Sequence, residues 1–151
     1  MKPKTVNRAR VLFPSYSTNE SAARAMASAF IAQTDPTFSE LADIKCAVSE
    51  AVTNCIVHAY KGKIGMIFMD VKIRADRSVE IEIRDKGCGI PDVQLAMQPL
   101  YTTDAENERS GMGFAVMQSF MDTLRVASKV GKGTKVVMTK NLSPLAGHVS
   151  K

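Results

Sequence analysis

The chain has 151 residues, of which 45% are hydrophobic and 23% charged, so we expect one globular domain large enough to bury a core. It lacks an apolar run near the ~20 residues of a membrane span, and its three scattered cysteines form no C-x-x-C pair, which argues against a zinc or disulfide framework and favours a cytoplasmic location. The net charge of +5 is dispersed among fifteen acidic residues, so we expect no direct nucleic-acid binding and no membrane partner.

The first part of the sequence predicts one strand followed by two helices. Alternation in ARVLF predicts a strand over residues 9–13. Ser17 and Glu20 have the spacing of a capping box, which we expect to open a helix that ends near Gln33. Thr37 and Glu40 have the same spacing and predict a helix through about residue 59. The core stripe expected on this second helix consists of Leu41, Ile44, Val48, Val52, Cys55 and Ala59.

The rest of the sequence predicts two hairpins separated by an irregular segment and a third helix. Residues 67–74 and 79–84 alternate apolar with polar side chains and predict an antiparallel hairpin. Residues 92–110 lack an apolar period, and a helix is expected from about residues 111–113 to Asp122. LRVASKV and TKVVMTK flank a Gly-Lys-Gly turn and predict a second hairpin.

These elements predict an α+β fold, in which helices cover one face of a mixed or antiparallel sheet as a two-layer sandwich. We expect a single domain over residues 1–140 and a flexible tail over residues 141–151, because the tail shows no strand or helix pattern.

Asp85 stands out in the stretch RDKGCGIPD. Continuing the alternation of residues 79–83 by one step places its carboxylate on the inward, apolar face, where an ionised group is costly unless it accepts hydrogen bonds. One interpretation is a turn residue that caps the following loop. The other is a buried acceptor for a ligand donor such as an exocyclic amine, with Gly87 and Gly89 letting the backbone approach a flat ligand.

A second glycine cluster, Ser110-Gly111-Met112-Gly113, precedes the third predicted helix. Glycine-rich backbone that leads into a helix N-terminus offers amide N–H groups and a positive dipole end to phosphate. The pattern is weak on its own, since ordinary loops and helix starts also carry glycine. A ligand with a base at one glycine loop and phosphates at the other would explain both clusters.

Glu50 and Asn54 lie four residues apart, and therefore share one stripe of the second predicted helix. A solvated polar face is one interpretation of this pair. The alternative is a site for Mg²⁺ and for proton removal from a hydroxyl, because carboxylate and carboxamide oxygens suit both tasks.

The chain resembles the GHKL superfamily of ATPases and kinases in three motifs that occur in the family's order. They are the N box with Glu50 and Asn54, the first glycine box Asp85-x-Gly87-x-Gly89, and the second glycine box Gly111-x-Gly113 after a nucleotide lid. Over roughly residues 10–140 it is most similar to the anti-sigma serine kinases. The stretch QPLYTTDAENERSGMGF resembles their sporulation branch more than the general-stress branch. The resemblance implies the Bergerat type of ATP-binding sandwich.

ATP or ADP with Mg²⁺ is the ligand that this resemblance implies. Asp85 would accept a hydrogen bond from the adenine amino group, with help from Thr134 through a water-mediated contact. Asn54 would coordinate Mg²⁺, Glu50 would orient and deprotonate a serine hydroxyl, and Arg109 would meet the γ-phosphate as the lid closes. The other nucleotide contacts expected from the family are Gly87, Gly89, Thr102, Thr103, Ser110, Gly111, Met112 and Gly113.

Protein partners are also implied by the resemblance. One is an anti-anti-sigma protein phosphorylated on serine, and the other is a sporulation sigma factor (sigma F) held inactive in the ATP-bound state. Arg24 matches the family position that touches both, and the first strand and helix would build a homodimer. Two alternatives remain: a nucleotide-gated module without kinase activity, and a general-stress relative.

Overall fold

In the part of the chain that the structure describes, five antiparallel strands form one sheet, and the helices pack against one of its faces. The computed structural model describes residues 2–98 and 113–145. The strands are β1 (Thr5–Pro14), β2 (Met66–Arg74), β3 (Ser78–Asp85), β4 (Thr123–Lys129) and β5 (Gly133–Asn141). The helices are α1 (Asn19–Ile31), α2 (Phe38–Asn54), α3 (Val93–Ala96) and α4 (Gly113–Phe120). This architecture confirms the predicted α+β sandwich.

The strand order β1-β2-β3-β5-β4 places the two predicted hairpins side by side. β2 pairs with β3 and β4 pairs with β5, and β5 returns to pair with β3. Every pair of strands in the described chain is antiparallel. Of the two sheet types expected from the sequence, mixed and antiparallel, the described sheet is the antiparallel one. The end of β3 and the start of β5 therefore meet, and they bring Asp85 beside Thr134.

The core lies between the sheet and helices α1, α2 and α4, with α2 between the other two. Four of the six residues expected on the α2 stripe are buried, whereas Leu41 and Ala59 are only partly buried. Complete burial of a Val, Ile or Met side chain stabilises the fold by ~1.5–3 kcal/mol. The largest fully buried side chains are Ile31, Ile44, Val48, Val52, Ile67, Met69, Val71, Val79, Ile81, Ile83, Met117 and Met138. None of the described helices has the length and apolar character that a membrane crossing requires.

The two predicted capping boxes have different outcomes. At the start of α2, the Thr37 hydroxyl accepts the Glu40 N–H at 3.0 Å, and the Glu40 carboxylate accepts the Thr37 N–H at 2.9 Å. At the start of α1 the box predicted from Ser17 is wrong. The chain enters that helix through a turn in which the Glu20 N–H donates to the Ser17 carbonyl, and the Glu20 carboxylate pairs with Arg24 instead.

The last turn of the second predicted helix is a π turn, Cys55–Ala59, rather than α-helix. The Tyr60 N–H donates to the Cys55 carbonyl at 3.1 Å, five residues back. Such single π turns occur frequently at functional sites. The wider turn presents the Ala59 carbonyl to the loop after β3, where it accepts the Cys88 N–H at 3.0 Å.

Two further parts of the chain have a structure that differs from the one predicted from the sequence. The segment predicted as irregular contains the short helix α3, which Asp92 caps by accepting the Leu95 N–H. Asn141 is the last residue of β5, and Leu142 is buried in the core, so the described chain stays packed beyond residue 140. Residues 146–151 lie outside the described residues, and the flexible tail remains a prediction.

The α2 capping box generates a test of local stability. We expect Thr37→Ala to lower the free energy of unfolding by ~0.5–2 kcal/mol, because the Glu40 N–H loses its acceptor. Ser17→Ala is the matched control, since the Ser17 hydroxyl caps nothing and its loss should stay within ~0.5 kcal/mol. Denaturant unfolding of the three proteins measures the difference, and equal losses in both variants would contradict it.

Candidate functional site

Asp85 lies at the inward end of β3, where its side chain is buried. Its Oδ1 accepts the Gly87 N–H at 2.9 Å and the Thr134 N–H at 3.2 Å. Burial raises the pKa of Asp85, while hydrogen bonding from Gly87, Cys55 and Thr134 opposes that change. An ionised carboxylate has about four lone-pair sites, so Asp85 retains the capacity to accept from a ligand. The bond from Gly87 confirms the turn-capping interpretation, and the role of Asp85 as an acceptor for a ligand donor remains a prediction.

The glycine loop, residues 86–90, is fixed by hydrogen bonds along its length. Its contacts run to three different elements: the segment after α2, strand β4, and the β4–β5 turn. The bonds are Lys86 N–H to Tyr60 Oη at 2.8 Å, Cys88 N–H to the Ala59 carbonyl at 3.0 Å, Ile90 N–H to Ser128 Oγ at 2.7 Å, and Gly131 N–H to the Cys88 carbonyl at 2.8 Å. The loop is therefore held in one arrangement before any ligand arrives.

The glycines of this loop are required by packing within the protein. A Cβ at Gly87 would meet the Ala59 carbonyl, and one at Gly89 would meet the Lys129 carbonyl. Gly89 also has a φ of 77°, in the left-handed region. From the sequence, we expected these glycines to let the backbone approach a flat ligand. In the structure their Cβ directions face neighbouring backbone instead, so the steric reason was wrong, and their contact with a nucleotide remains a prediction.

Thr134 contacts Asp85 through its backbone N–H, while its hydroxyl lies 2.8 Å from the Ser128 hydroxyl. The preceding Gly133 has a φ of 122°, and a Cβ there would meet the Asp85 carbonyl. Glycine at this position thus permits β5 to approach β3 closely enough for the bond to the carboxylate. Ser128 in turn holds the glycine loop through Ile90.

Glu50 and Asn54 meet the start of α4. A Cβ placed on Gly113 would lie 3.1 Å from Asn54 Oδ1 and 3.5 Å from Glu50 Oε2. Both side chains are half-buried and lie beside the N-terminus of that helix, rather than on a fully solvated face. An N-terminal helix end and two oxygen-bearing side chains make this place suitable for a phosphate with its cation.

The residues present here fit Mg²⁺ in the manner usual for nucleotide sites. No group of three or more His, Cys, Asp or Glu side chains among the described residues would hold a metal ion on its own. Mg²⁺ in such sites keeps waters and substrate phosphates as most of its ligands, and takes only one or two from the protein. Asn54 Oδ1 and Glu50 Oε2, which both lie beside Gly113, are the side-chain oxygens that could supply those one or two ligands.

Six predicted nucleotide contacts lie outside the described residues, and their roles remain predictions. They are Thr102, Thr103, Arg109, Ser110, Gly111 and Met112. Gly113 is the one residue of the second glycine box that lies in the described chain, and the structure places it at the start of α4.

Arg24, predicted to bind partners, lies on the exposed side where α1 packs against α2. Its guanidinium donates to Glu20 at 3.3 Å and to the Ser49 hydroxyl at 3.2 Å. Ser49 directly precedes Glu50, so Arg24 sits near the outer rim of the candidate site. Its side chain is 39% exposed, which leaves room for a partner.

Two residues that we did not predict from the sequence hold the glycine loop in place. They are Tyr60 and Ser128, whose hydroxyls accept backbone N–H groups of the loop. Tyr60 and Ser128 carry no sequence signal at all, because their partners come from distant segments.

The chain matches known proteins over most of its length. A sequence model of the histidine kinase-like ATPase domain matches residues 13–140. The anti-sigma F factor of Caldanaerobacter subterraneus subsp. tengcongensis is 59% identical over 134 residues, which cover 89% of this chain and 93% of the relative. The anti-sigma F factor of Clostridium kluyveri is 48% identical over 140 residues, covering 93% and 98%. That of Priestia megaterium is 48% identical over 138 residues, covering 91% and 94%.

Solved structures show the same fold at lower identity. The RsbU and RsbW domains of a Mycobacterium tuberculosis protein align with a TM-score of 0.69 and 20% identity, over 96% of this chain and 35% of theirs. The histidine kinase domain of a blue-light activated kinase from Erythrobacter litoralis aligns with a TM-score of 0.54 and 20% identity, over 82% and 61%. The matched residues include most of the sheet, the buried Asp85 carboxylate and the Glu50–Asn54 pair. The chain belongs to the histidine kinase-like ATPase domain family and, within it, to the anti-sigma F factors.

Proposed function

We propose that this chain is an ATP-dependent serine kinase that phosphorylates an anti-anti-sigma protein and, in its ATP-bound form, holds a sporulation sigma factor (sigma F) inactive. The observation that carries the proposal is that α2 and the π turn after it together reach two different centres. Asn54 borders the start of α4, and the Ala59 carbonyl in the π turn accepts the N–H of Cys88 in the glycine loop after Asp85. A nucleotide with a base at one end and phosphates at the other matches this spacing of contacts.

The adenine end is Asp85 and the fixed glycine loop. A carboxylate accepts hydrogen bonds only, so it favours a base with an exocyclic amine at this position. The bond is charge-assisted and lies in a buried place, which strengthens it relative to the same bond in water. Thr134 supports this end by donating its N–H to the carboxylate.

The phosphate end is the start of α4 with Asn54 and Glu50. Asn54 would hold Mg²⁺, which when bound neutralises charge on the phosphates. Arg109 is the proposed contact to the γ-phosphate. The remaining proposed contacts in the lid and the second glycine box are Thr102, Thr103, Ser110, Gly111, Met112 and Gly113.

Glu50 is the proposed catalytic residue. Phosphoryl transfer depends mostly on positioning and charge stabilisation, so a carboxylate has the limited task of orienting the serine hydroxyl and taking its proton. The placement of Glu50 beside Gly113, near Asn54, suits that task.

The partner surfaces are proposed on the first two elements. Arg24 is the proposed contact to both protein partners, and its place near the rim of the site suits a surface that changes with the nucleotide. β1 is an edge strand of the described sheet and exposes apolar side chains such as Val6 and Leu12, which supports a homodimer built by β1 and α1. With these roles, we expect the protein to act in the cytoplasm.

Asp85→Asn tests the adenine end. We expect ATP and ADP affinity to fall alike by roughly 1–3 kcal/mol, because the amide loses the charge-assisted bond. Asp35→Asn is the control, since it makes the same chemical change at an exposed residue in the left-handed region, where Asn is well tolerated. Titration calorimetry measures both nucleotides, and an unchanged ADP affinity would leave Asp85 with the turn-capping role alone.

Arg109→Ala tests the phosphate end. We expect a loss of ATP affinity with little change for ADP, because only ATP offers a γ-phosphate to the guanidinium. Sigma binding should weaken in parallel if closure over ATP favours that partner. Equal losses of affinity for ATP and ADP in the same calorimetric assay would mean that Arg109 does not contact the γ-phosphate.

Glu50→Gln separates the two proposed activities. Loss of the general base should slow phosphotransfer to the anti-anti-sigma protein by ~10²–10⁴-fold, while ATP binding and capture of sigma persist. Glu82→Gln is the matched control, because it removes a carboxylate from the sheet face opposite the helices. Radiolabelled transfer and sigma pull-down in Mg-ATP measure the two activities.

Full phosphotransfer by Glu50→Gln would remove Glu50 from catalysis. If the wild-type protein binds ATP and captures sigma but transfers no phosphate, the chain is a nucleotide-gated binding module. Loss of both activities with intact ATP binding would give Glu50 a role in shaping the partner surface.

A further inference from the structure

Five cationic side chains meet at one end of the sheet face opposite the helices. They come from the end of β3 and from the β4–β5 hairpin, so they are scattered in the sequence but form one basic patch in the fold: Arg84, Lys86, Lys129, Lys132 and Lys135. All five are exposed, and four of them line a cavity of about 310 Å³. Arg84 and Lys86 lie over the ring of Phe68, at 4.8 Å and 5.4 Å from its centroid.

The basic patch places like charges directly opposite one another. Arg84 on β3 and Lys135 on β5 are cross-strand partners, an arrangement that destabilises a sheet. Among the residues that the structure describes, no carboxylate forms an ion pair with any of the five cations. Asp85 also borders the cavity, but its side chain is buried and accepts backbone N–H groups. The described chain therefore leaves this repulsion uncompensated.

The carboxylates of the same sheet face lie farther along the strands. Asp70 and Glu82 are cross-strand partners in the next row, and Glu80 lies in the row after it. Two of these acids already have close cationic partners, since Asp70 pairs with Arg8 and Glu80 pairs with Arg74. The face is thus divided into a part where opposite charges are paired and a basic patch where they are not.

We propose that the basic patch docks an acidic segment of a protein partner, in which carboxylates alternate along an extended chain. From β2, where the cations cover Phe68, the patch reaches β4, and three strand spacings amount to about 14 Å. In an extended segment, alternate side chains lie on one side about 6.6 Å apart, so three alternate carboxylates cover a similar width. The proposal goes beyond the proposed function and does not rest on it, because it needs no nucleotide.

A single phosphate group suits the basic patch less well than a distributed anion. Compact phosphate sites use backbone N–H groups that converge on the ligand. In the β4–β5 turn, the Gly131 N–H donates to the Cys88 carbonyl, and the Lys132 N–H donates to the Lys129 carbonyl. These two amides are therefore occupied, and the charges available to a ligand are those of the spread side chains.

A nucleic-acid strand also suits the basic patch less well than an acidic peptide. Single strands are held by aromatic rings that stack on bases as well as by cations, but the Phe68 ring is covered by Arg84 and Lys86. Asp70 and Glu82 occupy the adjoining row of the same face, where they would repel a phosphate backbone that continued along the sheet. A short acidic segment ends before it reaches them.

Fluorescence anisotropy with the labelled peptide Glu-Thr-Glu-Thr-Glu tests the proposal, at ~0.05 M salt where screening is weak. We expect Lys129→Gln/Lys135→Gln to weaken binding by roughly 2- to 30-fold, the effect of losing two exposed charge pairs. Lys45→Gln/Lys63→Gln is the matched control, because it removes two exposed lysines outside the basic patch and should keep the wild-type Kd. The peptide Gln-Thr-Gln-Thr-Gln should not bind.

Urea unfolding at the same salt concentration tests the repulsion itself. Lys135→Gln removes the cation opposite Arg84, so the unfolding midpoint of the free protein should rise. Lys45→Gln, which removes an exposed lysine of α2, should leave the midpoint unchanged. The acidic peptide should raise the midpoint of the wild-type protein more than that of Lys135→Gln. The proposal requires both the binding and the unfolding results.

The proposal is overturned if the wild-type chain does not bind the acidic peptide, or binds it no better than Lys129→Gln/Lys135→Gln does. A midpoint that does not rise in Lys135→Gln would also overturn it. Tighter binding of a single-stranded oligonucleotide, lost in the same double variant, would assign the basic patch to nucleic acid. Where the double variant folds poorly, Lys132→Gln at an exposed turn position gives the comparison with one charge removed.

Discussion

The structure is organised around one buried carboxylate. An ionised Asp85 on the apolar side of the sheet is costly unless donors surround it, and here two backbone N–H groups come from separate segments. Each donor depends on its own local feature: a glycine loop that turns back on itself, and a close approach of β5 at Gly133. Both features serve to keep one acceptor in the core.

Helix α2 connects this acceptor to the other half of the site. Helix α2 carries Glu50 and Asn54 beside α4, and the π turn that follows it carries the Ala59 carbonyl that holds the glycine loop. Because α2 is also the middle helix of the core, these contacts are fixed by the same packing that stabilises the fold. A ligand that bridges the two ends therefore meets a preformed frame, and this reduces the ordering that binding requires.

The sequence was sufficient wherever the deciding pattern was local. Alternation of side chains predicted both hairpins and placed Asp85 inward, and helical spacing brought Glu50 next to Asn54. Prediction from the sequence failed where the same local pattern occurs in different surroundings. Thr37 and Ser17 begin the same motif, but only Thr37 caps its helix. At the start of α1, the Glu20 N–H already donates to the Ser17 carbonyl in a turn. The packing reasons for Gly87 and Gly89 and the hydrogen bond from Ile90 to Ser128 depend on segments far apart in sequence, and only the folded chain brings them together.

The π turn after α2 also fixes how many residues the chain must have there. An α-helix turns by about 100° per residue, and a π turn is in effect one residue more than the regular helix needs. Deleting one residue between Cys55 and Tyr60 would let the helix run on as regular α-helix and keep the core contacts of Val48 and Val52. It would also rotate the Ala59 carbonyl away from Cys88 and release the glycine loop. The length of this segment is therefore set by the site and is not required by the core, so homologous chains should vary in length elsewhere before they vary here.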